Sequence, residues 1–485
     1  MEVLRVRLSK TTLVHVGAQV IISLAGFAAT FAIAALEGSA ALGQYAIAVS
    51  LGGFLLVVPM QATAEAVKKR ISEGTDQRAF FGVGLLANGV LAVALAGGVL
   101  AVGVGLRTVD VPSAEIVTVV STYDAEIAAL VVASAAFRTV RGGLEGTKRV
   151  GTSGLLQALD RVLRTGGQVA AILAGYGVAV LVAGHAVAMV AASLVGFWIV
   201  GVGAARPTRE HARSVYAYAK YAWLGTLRTR VFGWFDTFVL SFFVGASLVG
   251  IYEAAWGIAA LLGIVSLAIR RTLFPEVSDL STREDFGRIR SILEDGLAFS
   301  GVFAIPGLAG AAVVGQRVLR FYRPEFGRGA GILLLLVTAY LAESYGSQFV
   351  SVLNAVDRPS LAYRVNFAFV VVSVVLTVSL TWIFGWYGAA TATASASLFR
   401  TALGYRVLAS EIGSVPLPLG EVGRQVLASA VMAAVVLPLD PALPRGRVWT
   451  LAVVGVGAVV YVAVLVAVSG RVRGKTRALL PVGGE

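Results

Sequence analysis

Several ionisable side chains stand inside stretches that are otherwise apolar, and their spacing points to chemistry. Gln157, Arg161, Arg164 and Gln168 follow one another at intervals of four, three and four, so a helix places them on one face. Two guanidinium groups between two amides form a donor set suited to phosphate. Asp160 stands four residues before Arg164 and can neutralise it, which leaves Arg161 the freer cation. The same residues also fit a helix end whose arginines reach back to the membrane surface. Arg228 and Asp236 are eight residues apart and share a similar face, whereas Arg230 points roughly opposite Arg228, toward the inner surface. Asp236 suits a proton or sodium site, a counter-ion, or a purely structural salt bridge. Glu253, close to the outer surface, reads as interfacial. Tyr340, Ser344, Ser347, Ser351 and Asn354 make a further polar face with Glu343 on its margin, a second candidate for coupling or counter-ion, and Thr393, Ser397, Arg400 and Gly404 make another. One hydroxyl-rich face alone is explained by interhelical hydrogen bonding. Several cationic and hydroxylated faces together imply a wet, positively charged cavity for a phosphate-bearing ligand, because an Arg at the centre of a bilayer costs about 2.5–3.5 kcal/mol when it faces lipid.

Other chemistries lack their residues. Cysteine is absent, and His15, His185 and His211 are scattered without metal-ligand spacing, so each reads as a packing or surface histidine. GRVRGKT at Gly470 to Thr476 has its glycines one residue too close for a phosphate-binding loop and follows an apolar run rather than a strand. There is no GxSxG or HExxH, and no large loop to hold a glycosyl-transfer site. The expectation is a non-enzyme with no cofactor, driven by an ion gradient, the membrane potential or consumption of its product.

The elements that must position these residues are membrane helices. Of 485 residues 57% are hydrophobic and 14% charged, against about 25% charged in a soluble domain. Mean hydropathy is +0.83. A spanning helix needs about 20 apolar residues. Seven runs meet this cleanly: Leu13 to Leu36, Leu42 to Ala64, Phe80 to Leu106, Val178 to Ala204, Gly296 to Gly315, Val365 to Phe384 and Val448 to Ser469. Seven more hold charge or run short: Ile116 to Arg141, Gly154 to Gly175, Tyr221 to Val244, Val249 to Ile269, Gly329 to Val356, Tyr387 to Ala409 and Val422 to Leu439. The first run is too long for a cleavable signal core and is kept as a span. With both termini in the cytoplasm, 28 of the 40 Lys and Arg fall inside, seven outside and five within helices. The net charge of +13 therefore reads as topology, and no nucleic acid is implied. One outer loop dissents: GQRVLRFYRPEFGRG carries Arg317, Arg320, Arg323 and Arg328.

A shift of 207 residues superposes the chain on itself. GxYxxA at Gly43, Tyr45 and Ala48 meets GxYxxA at Gly250, Tyr252 and Ala255, and upstream Gly26 meets Gly233, Thr30 meets Thr237, Phe31 meets Phe238 and Gly38 meets Gly245. Helices one and two thus correspond to seven and eight, giving parallel repeats about an axis along the membrane normal. The expected architecture is an all-α integral membrane protein of about 14 helices: two pseudo-symmetric six-helix lobes, 1–205 and 206–410, and a region 411–485 with two further helices and a basic cytoplasmic tail.

GIYEAAWGIAALLGIVSLAIRRTLFPEVSDL at Gly250 to Leu280, then FYRPEFGRGAGILLLL, VLNAVDRPSLAYRVNFAF and FGWYGAATATASASLFR, resemble in order and spacing the Wzx-type polysaccharide flippases. That family lies in the superfamily that also holds multidrug extruders and lipid II flippases. The resemblance implies a two-lobed bundle opening alternately to each side of the cytoplasmic membrane, a cationic central cavity, and a polyprenyl-phosphate- or pyrophosphate-linked sugar as substrate. It places Asp236 at a common acidic position of the seventh helix and makes the arginines of helices five and seven suitable for the lumen. The substrate-binding candidates are therefore Arg161, Arg164, Arg228, Arg400, Gln157 and Gln168. Besides membrane lipids, the partners in prospect are H+ or Na+ as coupling ion and a glycan polymerase or ligase. A cation-coupled multidrug exporter and a lipid II-type flippase are the alternatives. The first is disfavoured by the absence of a carboxylate from Leu13 to Leu36.

Overall fold

The structure is a computed structural model describing residues 10–53, 58–109, 114–201 and 203–479. The basic N-terminal stretch before Lys10, the last six residues, and the side chains of His15 and Arg230 lie outside the description. Every regular element among the described residues is helical. In chain order these are α1 (Lys10–Ala32), a π turn (Ile33–Glu37), α2 (Ser39–Leu51), α3 (Val58–Ser72), α4 (Gln77–Thr108), α5 (Glu115–Gly146), α6 (Val150–Leu173), α7 (Val178–Val200), α8 (Arg209–Phe243) and α9 (Ala246–Leu261). There follow α10 (Ile264–Thr282), α11 (Phe286–Arg320), a 3-10 turn (Pro324–Gly329), α12 (Ala330–Ala355), α13 (Pro359–Phe384), α14 (Trp386–Ile412), α15 (Leu419–Ala442), α16 (Arg447–Val468) and α17 (Gly470–Leu479).

Among the described residues nine helices are long and apolar enough to cross a membrane, or ten if α9 and α10, bent by 43° at their junction, form one span. Each of the 14 runs expected from hydropathy falls on described helical residues, the second on α2 and α3, between which 54–57 lie outside the description, and the eighth on the bent pair α9 and α10. The single helices that fall short, α6, α8 and α14, carry intramembrane arginines. Large apolar side chains face outward along the helices, with Trp198 89% and Trp382 74% exposed. Only a lipid solvent satisfies such a surface.

The chain divides into two compact units, Met1–Glu253 and Ala254–Glu485, the division falling inside α9. In the first unit α1 packs on α6, α5 on α3, α4 and α7, and α8 on α3. Val67, Ile71, Phe81, Phe137, Val140, Leu144 and Leu156 form its core. In the second, α12 and α13 pack on α14, and α11 packs on α12 and α15. One core joins Leu293, Leu297, Phe349, Leu353 and Leu408, and a second joins α15 to α16 through Met432, Val436, Val453 and Tyr461.

Two helices run beyond their apolar stretches because polar residues cap them. α8 begins at Arg209, twelve residues before its apolar run, behind a reciprocal cap between Thr208 and His211. α11 begins at Phe286, where Asp285 accepts from the Arg288 amide at 3.0 Å. GRVRGKT lies in α17, a short helix tied down by Arg471, which pairs with Glu294 at 2.9 Å.

The repeat has a structural counterpart within the first unit. α1 ends in a π turn closed by Gly38 N–H donating to the Ile33 carbonyl at 3.1 Å, and Gly38 takes φ 98°, which favours glycine. α2 then crosses the first turns of α9 with backbones in contact. A Cβ on Gly43 would lie 1.8 Å from the Ala246 carbonyl oxygen, and one on Gly250 would lie 1.9 Å from that of Ser39. The 207-residue shift carries Gly43 to Gly250 and Ser39 to Ala246, so each repeat offers the same glycine to the same backbone position of the other. The Ser39 and Ser247 hydroxyls, 2.7 Å apart, join the helices beside this crossing.

Candidate functional site

The α6 face divides among its neighbours. Gln157, with its amide turned to satisfy both groups, accepts from Arg141 Nε and Nη2 on α5 at 3.2 and 2.6 Å. Arg164 donates to Asp160 at 2.7 Å and shares a 2.6 Å hydrogen bond with His185 Nε2 on α7. The other ring nitrogen, His185 Nδ1, is 3.2 Å from the Tyr45 hydroxyl on α2. Gln168 is buried and donates to the Leu181 carbonyl at 3.3 Å. Thr165 donates to the Ala25 carbonyl of α1 at 2.9 Å.

Arg161 is different. It makes no hydrogen bond or ion pair among the described residues, and its Nε is buried without an acceptor. It lies against α1 beside Gly26, where an added methyl would stand in ordinary contact, 3.4 Å from the Arg161 Cζ. A half-buried guanidinium with no ion pair of its own attracts an anion. Arg164, by contrast, has its charge matched by Asp160.

A second polar group joins α8 to α9. Asp236 is buried and accepts from the Tyr252 hydroxyl at 2.5 Å, while the next residue, Thr237, donates to Glu253. The tyrosines of the two GxY copies thus do related work: Tyr45 holds His185 and through it Arg164, and Tyr252 holds Asp236. Arg228 is half-buried on α8, two turns before Asp236.

The second unit holds Arg400 and Glu343, and there they bind each other. Arg400 on α14 is 1% exposed and donates to Glu343 on α12 and, at 3.2 and 3.3 Å, to the Asn366 side-chain oxygen on α13. Its guanidinium also lies over the Phe369 ring, 5.7 Å from the centroid. This arrangement ties three helices together.

The structure therefore brings Gln157, Arg161, Arg164 and Gln168 along one helix, as their spacing requires, and pairs Arg400 with Glu343. Sequence reasoning missed His185, a 3% exposed residue between Arg164 and Tyr45. A lone histidine in an apolar helix gives no signal of such partners. It also missed Glu253 as part of the Asp236 group; the repeated tyrosine beside it was the available sign.

Comparison with known proteins gives consistent likenesses. Residues 152–322 match the family described as "Polysaccharide biosynthesis protein". "Probable flippase AglR" of Haloferax volcanii is 34% identical over 358 residues, covering 73% of this chain and 75% of the relative. "Probable low-salt glycan biosynthesis flippase Agl15" of the same organism is 27% identical over 293 residues, 60% of this chain and 62% of the relative. Among solved structures, the lipid II flippase MurJ in an inward closed conformation superposes with TM-score 0.79 at 15% identity, over 94% of this chain and 98% of that one. An inward-facing multidrug resistance transporter of the MATE family superposes with TM-score 0.64 at 15% identity, over 82% and 98%. The fold is that of these transporters, and the chain belongs to the polysaccharide flippase family, a family of multi-pass membrane transporters.

Proposed function

We propose, from that membership and from the α6 face, that the protein is a flippase for a polyprenyl-phosphate- or pyrophosphate-linked sugar or oligosaccharide. It crosses the cytoplasmic membrane with both termini inside and works by alternating access in the assembly of surface polysaccharide or protein-linked glycan. The observation that carries this reading is Arg161, a half-buried arginine that makes no ion pair among the described residues and has its Nε enclosed without an acceptor. Such a group binds the substrate phosphate through charge-assisted hydrogen bonds. Arg164, fixed by Asp160 and His185, shapes the wall beside it and adds field. Arg228 extends the cationic lining along α8. The sugar passes through this wet region while the isoprenoid tail stays in the bilayer.

The acidic group of Asp236 and Glu253 is the coupling centre, taking H+ or Na+. Glu343 is engaged with Arg400 and serves as a counter-ion. The glycine crossing of α2 on α9 is the joint at which the repeats separate when the protein changes its open side. A glycan polymerase or ligase consumes the product. The reading is tested by Arg161→Gln in cells that depend on this protein for glycan export: export falls sharply while the protein remains in the membrane. Normal export by that variant overturns the electrostatic role.

A further inference from the structure

The topology that puts 28 cations inside leaves seven outside: Arg107, Arg317, Arg320, Arg323, Arg328, Arg445 and Arg447. Arg107 is paired with Asp124 at 2.5 Å. Five of the other six line one cavity of about 340 Å³ in the second unit, built where the end of α11 and the 3-10 turn meet the turn between α15 and α16. These loops are more than a hundred residues apart in the chain, so the fold has gathered charges that the orientation of membrane helices disfavours on that side.

Four of the five arginines, Arg317, Arg320, Arg445 and Arg447, differ in what they do, and Arg323 completes the wall. Arg317 is a pin: it is 5% exposed, and its guanidinium donates to Asp440 Oδ1 at 2.5 Å and to the carbonyls of Leu443 and Pro444 at 2.8 and 3.0 Å. It fixes the α15–α16 turn on α11 and matches the charge of Asp440, the one carboxylate on the cavity wall. Arg447 donates to the carbonyls of Phe321 and Tyr322 at 3.1 and 3.3 Å, which orients it across the end of α11. Arg320 makes no ion pair among the described residues and has its Nε buried without an acceptor; Arg445 is exposed and also has no carboxylate. α16 starts at Arg447, so the positive end of its dipole lies at this wall, where Gly446 and Thr450 stand.

Like charges around a concave wall repel one another unless an anion lies between them. Guanidinium forks match phosphate oxygens, and a cavity near the small end of ligand pockets takes a head group rather than a chain of sugars. We propose that this cavity is a second anion site, for a phosphate- or pyrophosphate-bearing head group, on the side of the membrane where the carried lipid is released. The proposal deepens the flippase reading and rests on it for the sidedness, but the binding chemistry stands on the cavity alone. Two sources supply that chemistry, the diphosphate of an isoprenoid carrier and the phosphate of an anionic phospholipid.

The test is made on the full-length protein in two kinds of nanodisc. In phosphatidylcholine discs, inorganic pyrophosphate is titrated calorimetrically at low and high salt. In discs with added phosphatidylglycerol, retention of that lipid is read by native mass spectrometry. Arg320→Gln and Arg445→Gln are compared with Arg328→Gln, an arginine of the same loop that lies off the cavity wall. The expected result is pyrophosphate binding that weakens with salt and falls by about tenfold or more in each cavity variant but not in Arg328→Gln. A fall in pyrophosphate affinity assigns the carrier diphosphate as the source; a loss of retained phosphatidylglycerol alone assigns the phospholipid. Arg445 is exposed, so its variant folds even where Arg320→Gln does not. Loss of neither ligand in the Arg445 variant overturns the proposal. Because binding is the readout, failure of the protein to flip a lipid leaves this result standing, and the two claims fail separately.

Discussion

The crossing of α2 on α9 allows a quantitative perturbation. A Cβ added at Gly43 would sit 1.8 Å from a backbone oxygen, and one at Gly250 would sit 1.9 Å from another, where real Cβ contacts do not go below 3.0 Å. Because the obstacle is backbone, no side chain can turn away, and Gly43→Ala or Gly250→Ala must part the helices by about 1 Å. Over-packing of this kind costs about 1–3 kcal/mol. Borne by the crossed state alone, that cost shifts its population roughly 5- to 150-fold. The chain contains no cysteine, which makes the readout direct. Ser39→Cys with Ser247→Cys replaces two hydroxyls 2.7 Å apart, close to disulfide distance. Oxidant should join the pair in the parent protein, and transport should stop until reductant is added. Adding Gly43→Ala or Gly250→Ala should lower the initial cross-linking rate by that factor. Gly89→Ala, with nothing within 4 Å of its Cβ, should leave it unchanged. Unchanged cross-linking in both crossing variants would refute the close-packed joint, and transport by the oxidised pair would refute its opening during the cycle.

Further outcomes follow from the charge pairs. Arg164→Gln leaves Asp160 buried with its counter-ion gone, so it should lower thermal stability by about 3–5 kcal/mol, and Asp160→Asn in the same chain should restore much of this. Arg161→Gln removes no ion pair and relieves a partly desolvated charge, so it should leave the melting temperature unchanged or raise it while transport is lost; differential scanning fluorimetry beside the transport assay separates the two arginines. Arg400→Gln should destabilise by a similar 3–5 kcal/mol through the stranded Glu343, with Glu343→Gln as the compensating change, and the double variant should still transport. Asp236→Asn should abolish stimulation by an imposed ion gradient without loss of membrane insertion, read as transport with and without the gradient.

The sequence revealed what depends on local periodicity. The α6 face and the Asp160–Arg164 pair follow from residues three and four apart, and every apolar run falls on described helical residues. Long-range partners were hidden for the same reason: Arg400 meets Glu343 across 57 residues, and His185 reaches Arg164 from another helix. Helix breaks were also hidden, because the π turn at Ile33–Glu37 and the bend between α9 and α10 lie within continuous apolar sequence. The basic loop at Arg317 to Arg328 stood out against the expected charge pattern, but its companion arginines on the α15–α16 turn are recognisable only once α11, α15 and α16 are packed.

The central claim is tested most directly by reconstituting the protein in liposomes with a radiolabelled polyprenyl-phosphate or pyrophosphate sugar and scoring protection from an external reagent, with and without an ion gradient. Protein-dependent movement of the label, lost in Arg161→Gln, is the predicted result. No movement with any carrier, together with uptake of a cationic dye, would contradict it and identify a drug exporter on the same fold.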